Sequence, residues 1–138
     1  MNILVIDGQG GRIGRQLVKE ISERFEGVDL TAVGTNSIAT GSMLKGGAQN
    51  AATGENAVIV AARRADVIIG PIGIVIADAL LGEVTAEMAA AVGRSKATRI
   101  LIPINKCDSV VAGVGERSTA ELIDDALYKL AEIIAQRG

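Results

Sequence analysis

The chain has 138 residues, the size of one ordinary domain, with 14 Lys+Arg against 16 Asp+Glu. A formal net charge of −2 excludes a basic nucleic-acid footprint, and an aromatic content of only Phe25 and Tyr128 excludes a base-stacking platform. With no histidine and Cys107 as its single cysteine, the chain has no histidine-based triad, imidazole metal ligand, CxxC centre or internal disulfide.

The N-terminus MNILVID lacks the basic stretch of a secretion signal, and Asp7 interrupts its apolar run. The longest uncharged apolar run, Val67 to Ala77, is too short to cross a bilayer. The expectation is a cytoplasmic protein without a nucleic-acid or membrane partner. Residues 2–6 (NILVI) read as a strand buried on both faces. Gly8-Gln9-Gly10-Gly11 breaks it, and from Arg12 the period becomes helical. Ile13, Leu17, Val18, Ile21 and Phe25 form the apolar stripe of that helix. Residues 28–33 read as a second strand. Gly34-Thr35-Asn36-Ser37 is a polar turn offering three helix caps, followed by a short helix from Ile38 to Gly46.

Residues 48–52 read as a short edge strand, and Thr53 as the cap of a helix over 54–64. Residues 66–69 form a buried strand that ends at Gly70-Pro71. The segment 71–84 is apolar with no clear period, so its form stays open. Thr85 caps a helix through Val92, and residues 99–104 form another strand. Residues 110–114 read as a last strand. Ser118 with Glu121 makes a capping box ahead of a long amphipathic helix. Alternating strands and helices predict a single-domain, three-layer αβα fold with a mostly parallel sheet. Strand 2–6 should be central, between 28–33 and 66–69.

Asp7-Gly8-Gln9-Gly10-Gly11-Arg12-Ile13-Gly14 joins strand to helix and contains G-x-x-G-x-x-G at Gly8, Gly11 and Gly14. This resembles the phosphate turn of some nicotinamide-dependent reductases. Missing Cβ atoms let backbone approach a pyrophosphate, and the helix N-terminus supplies amides and a positive dipole. The competing reading is a tight turn packed against the sheet. It is not a P-loop, since no Gly-Lys-Ser/Thr follows. Asp7 is read as accepting the amides of Gly10 or Gly11 to hold the loop, with a ribose or cation contact as the alternative.

A dinucleotide fold carries an acid at the end of its second strand to hold the ribose diol. Here Thr35, Asn36 and Ser37 stand there instead, which weakens an NAD reading without establishing NADP. Asn105-Lys106-Cys107-Asp108 spells the guanine-reading N-K-x-D, but without a P-loop a GTPase is not expected. Lys106 remains a cation for a ligand phosphate. Gly70 and Gly73, with Asn105 and Lys106, follow later strands. In a parallel sheet those strand ends share one rim, the usual ligand crevice of open α/β folds.

VIDGQGGRIG, AVGTNSIAT, AATGENAVIV, ADVIIGPIGIVIADALLGEVT and RILIPINKC together resemble a family of small bacterial proteins catalogued only as a domain of unknown function. The resemblance implies a small Rossmann-like unit standing alone. It implies no activity and no catalytic residues.

The functional expectation is a nucleotide or dinucleotide ligand, NAD(P) first. Gly8, Gly10, Gly11, Arg12 and Gly14 would meet the phosphates, and Thr35, Asn36 and Ser37 the ribose end. The alternative is a non-catalytic sensor or assembly module binding a small phosphorylated metabolite. Catalysis is left open, with Glu55, Asp78, Lys106 and Cys107 the only groups considered. A mean hydropathy of +0.36 and the apolar residues of 71–92 suggest a homodimer through that stretch.

Overall fold

The computed structural model describes residues 1–104 and 108–137. Its strands are β1 (Asn2–Asp7), β2 (Asp29–Gly34), β3 (Asn50–Thr53), β4 (Val67–Pro71) and β5 (Thr98–Ile102). All pair in parallel in the order β3-β2-β1-β4-β5, so β1 is central between β2 and β4 as the sequence predicts. The helices are α1 (Arg12–Arg24), α2 (Ser37–Lys45), α3 (Glu55–Arg64), α4 (Ala86–Arg94) and α5 (Thr119–Arg137).

The period of two within the buried strands builds two core halves. Ile3, Val5, Val67 and Ile69 face α1 and α5 and pack on Leu17, Val18, Ile21, Leu127 and Leu130. Leu4, Ile6 and Ile68 face the opposite side and pack on Val58 of α3 and Met88 and Val92 of α4. Both faces of the central strands are therefore covered, which is why they read as continuous apolar runs. The chain builds outward from β1 to β2 and β3. It then crosses back to β4 and β5, so the order reverses between β1 and β4, a topological switch point.

Three caps follow the sequence reading. Asn36 Oδ1 accepts from Ala39 N at 2.8 Å, and Thr85 Oγ1 accepts from Met88 N at 3.1 Å. Ser118 and Glu121 exchange bonds of 3.1 Å in a reciprocal capping box. Thr53 is different. The N-cap of α3 is Gly54, at φ +99°, and the Thr53 hydroxyl pairs with that of Thr40 at 2.7 Å instead. Residues 110–114 form no strand. Val110 is 94% exposed, and Gly113 has a φ of +86°, outside the extended region.

Of the segment that stayed open, 71–84, Pro71 closes β4, and residues 72–84 are neither strand nor α-helix. A single 3-10 turn, Ile72–Val75, leads into a tight lobe closed by Asp78 N to Val84 O at 2.7 Å and Val84 N to Ala79 O at 3.2 Å. The lobe plugs the second core half with Ile74, Ala79, Leu80 and Val84. Of the apolar residues expected to form a dimer face, Ile74, Leu80, Val84, Met88 and Val92 are buried within the chain itself, Ile72, Val75 and Ile76 are half-buried, and Leu81 stands out at 97% exposure. Leu80→Ala should therefore lower stability by about 2–5 kcal/mol. Leu81→Ala should change it by less than about 0.5 kcal/mol, both read from urea unfolding midpoints.

Candidate functional site

The C-terminal rim begins where β1 ends. Asp7 is 5% exposed, with Oδ1 accepting from Gly8 N at 2.8 Å and Oδ2 from Gly14 N at 2.7 Å. It braces the turn as expected, but through Gly8 and Gly14 rather than Gly10 or Gly11. Burial pushes its carboxyl above the ordinary range. The Gly14 and Gly8 amides pull it back, and the nearby charge of Glu83 adds to the upward push.

The glycines divide by what a side chain would meet. Gly11 is the N-cap of α1 at φ +69°, its amide bonds Gly8 O at 2.9 Å, and a Cβ there would lie 2.7 Å from the Ala39 backbone. A Cβ on Gly14 would lie 2.8 Å from that of Asp7, and one on Gly8 2.7 Å from Leu80 Cδ1. These three positions bring α1, α2 and the 76–84 lobe close to the central strand, which is the packing reading of the motif. Gly10 differs: nothing lies within 4 Å of where its Cβ would be. Beside it, Arg12 opens α1 as an exposed cation.

The decisive residue of the rim is one the sequence reading did not select. Glu83, carried by the lobe, reaches the ends of both β1 and β2. Its Oε1 accepts from Gln9 N at 2.8 Å, from Thr35 Oγ1 at 2.7 Å and from Asn36 Nδ2 at 2.7 Å. Partial burial raises the pKa of this carboxyl, but the donors from Gln9, Thr35 and Asn36 together outweigh that and hold it below the ordinary value of 4.5. Asn36 also donates to Gln9 O at 3.0 Å, which ties the two turns directly.

Of the remaining expected binding residues, Thr35, Asn36, Ser37, Gly70 and Gly73 lie on or near the same rim. The Asp7↔Gly34 register sets the Gly8–Gly14 and Thr35–Ser37 turns side by side. Ser37 is the exposed first residue of α2. Gly70 is the penultimate residue of β4, a strand buried throughout, across the switch point, and the 3-10 turn containing Gly73 begins two residues on. Asn105, Lys106 and Cys107 lie outside the described residues. Glu55 accepts from Thr85 Oγ1 at 2.6 Å, which employs it as a tie between α3 and α4, and Asp78 is exposed. Among the described residues no group of three or more acidic or cysteine side chains is placed to hold a metal. Nor is any helix among them long and apolar enough to cross a membrane.

A family model described as a domain of unknown function, DUF3842, matches residues 2–135. The chain belongs to that family. No curated protein matches it. Among solved structures, the DUF3842 chain is similar to a dodecameric FMN-dependent UbiX-like decarboxylase from Escherichia coli O157:H7. That likeness has 13% identity and a TM-score of 0.48, over 98% of this chain and 94% of the other.

The two rim carboxylates titrate with opposite signs. Glu83 is held below 4.5, so the folded protein binds fewer protons there than the unfolded chain. Its stabilisation is full above that value and disappears as pH falls through its folded pKa. Asp7 is raised above 3.8, so its ionisation costs stability as pH rises through its folded pKa. Glu83→Gln should therefore be less stable than the parent near pH 7, and the difference should shrink as pH falls from 4.5 through the folded pKa of Glu83, measured by urea unfolding. Asp7→Asn turns an NH2 toward one of two backbone N–H groups and should cost about 1–3 kcal/mol near neutral pH.

Proposed function

We propose that the crevice at the C-terminal ends of β1, β2 and β4 binds a nucleotide or dinucleotide, with NAD(P) the leading ligand. The carrying observation is Gly10. In a turn otherwise filled by packing, it alone of the four glycines keeps open space above its backbone, at the N-terminus of α1. The first amides of a helix have no partner within it, and the helix dipole favours an anion there. The site also borders the point where strand order reverses, the usual crevice of open parallel sheets.

A pyrophosphate would lie over Gly10 and the first turn of α1, with Arg12 as its exposed cation. The ribose end would face Thr35, Asn36 and Ser37. Asp7 holds the turn from below and takes no part in contacting phosphate, because both its oxygens are occupied by backbone amides.

The choice of test variant follows from the geometry. A bulky residue at Gly11 would strain a left-handed backbone and strike Ala39, so lost binding would only report a damaged fold. Gly10→Leu avoids both problems. Its unfolding temperature should stay within about 2 °C of the parent. The parent should show a thermal shift with NAD, NADP, ATP, GTP or sugar phosphates at about millimolar concentration, and Gly10→Leu should abolish it. A shift with sugar phosphates alone would favour the module that senses a small phosphorylated metabolite. No shift with any of them would remove the reading.

A further inference from the structure

The end of β2 carries no acid of its own, yet the fold delivers one from 48 positions along the chain from Thr35. The two oxygens of Glu83 are in different situations. Oε1 is filled by three donors, one from the β1–α1 turn and two from the β2–α2 turn. Among the described residues Oε2 has no donor. An ionised carboxylate is acceptor-only, so that oxygen is open to a hydroxyl donor.

The carboxylate is also held rather than mobile. It rises from the lobe closed by the Asp78–Val84 and Ala79–Val84 backbone bonds and anchored by buried Leu80 and Val84. Asp78, Leu80 and Leu81 take φ values of +67°, +57° and +58°, conformations that non-glycine residues adopt at a cost. Such backbone persists where surrounding contacts impose it. Here those contacts place Glu83 against the glycine turn and the end of the second strand together.

The geometry points to Glu83 as the residue that reads the ribose of the bound nucleotide, accepting its 2′- and 3′-hydroxyls on Oε2 and excluding a 2′-phosphate. This deepens the nucleotide reading and rests on it. A vicinal diol supplies two O–H donors to a free carboxylate oxygen, the role an acid at the end of the second strand plays in dinucleotide folds. A 2′-phosphate supplies no donor when ionised and sets like charges together. The ligand class is therefore a nucleotide with a free ribose diol, NAD rather than NADP.

The test is calorimetric titration of NAD and NADP into the full chain and into Glu83→Gln. Glutamine keeps a carbonyl oxygen for Gln9, Thr35 and Asn36 but puts a neutral NH2 where Oε2 stood. The parent should favour NAD by about tenfold or more. In Glu83→Gln, NAD should weaken about tenfold and the ratio should move about tenfold toward NADP. Glu83→Asp, which keeps the charge but withdraws it, should weaken NAD without gain of NADP, and it serves if the glutamine variant does not fold. A parent that binds NAD with its preference unchanged in Glu83→Gln, or with tighter NAD binding in that variant, would overturn the role of Glu83 alone. A parent that binds neither nucleotide would overturn the nucleotide reading and this inference with it.

Discussion

Asp7 stands at the end of the central strand with both carboxylate oxygens tied to backbone amides, one at Gly8 and one at Gly14. Those bonds span the turn from strand to helix and set where α1 begins. They also set how close α1 comes. Gly14 lies against Asp7 and Met43 at a distance no side chain would permit. An unpaired buried carboxylate would be costly, so the brace works only because each oxygen has a donor. The same arrangement divides the turn into two sides. The inner side belongs to Asp7, and the outer side, at Gly10 and Arg12, is left to solvent or ligand.

Glu83 performs a related task on the outer side. One carboxylate oxygen gathers an amide from the first turn and a hydroxyl and a side-chain amide from the second. The two strand ends, already in register at Asp7 and Gly34, are thereby linked at their tips as well. The lobe that carries Glu83 is bound to the core by Leu80, whose methyl group lies over Gly8. Core packing, loop backbone and rim electrostatics are therefore one construction: the apolar residues of 74–84 fill the core and, in doing so, place an acid at the rim.

Much of the architecture was legible because burial on both faces leaves continuous apolar runs and because caps are local. Strands 2–6, 28–33 and 66–69 emerged with the predicted order, and the Asn36, Thr85 and Ser118 caps need only neighbouring residues. The 110–114 segment misled because Val110, Val111 and Val114 favour strands by propensity, while Gly113 adopts a φ outside the extended region. The 71–84 segment was illegible for a different reason. Its shape depends on Asp78, Leu80 and Leu81 in left-handed conformations, which no periodicity announces. Glu83 was missed with it, since its partners lie in turns distant along the chain. One signal pointed that way: the end of β2 offered donors, Thr35 and Asn36, with no acid beside them. Among the glycines, sequence spacing could not separate Gly10 from Gly8, Gly11 and Gly14, because the distinction lies in what α2 and the lobe bring against each.

The account stands on the location of the ligand crevice, and an amide-resolved titration addresses that directly. In a two-dimensional ¹H–¹⁵N spectrum of the full chain titrated with NAD, shifts should be concentrated in Gly8–Arg12, Thr35–Ser37, Gly70–Gly73 and Gly82–Val84. Described cavities elsewhere provide the contrast, above all the groove of about 770 Å³ between β5 and α5 lined by Ile100, Ile102, Leu122, Lys129 and Ile133. Perturbations centred on that groove, with the four rim segments silent, would contradict the account.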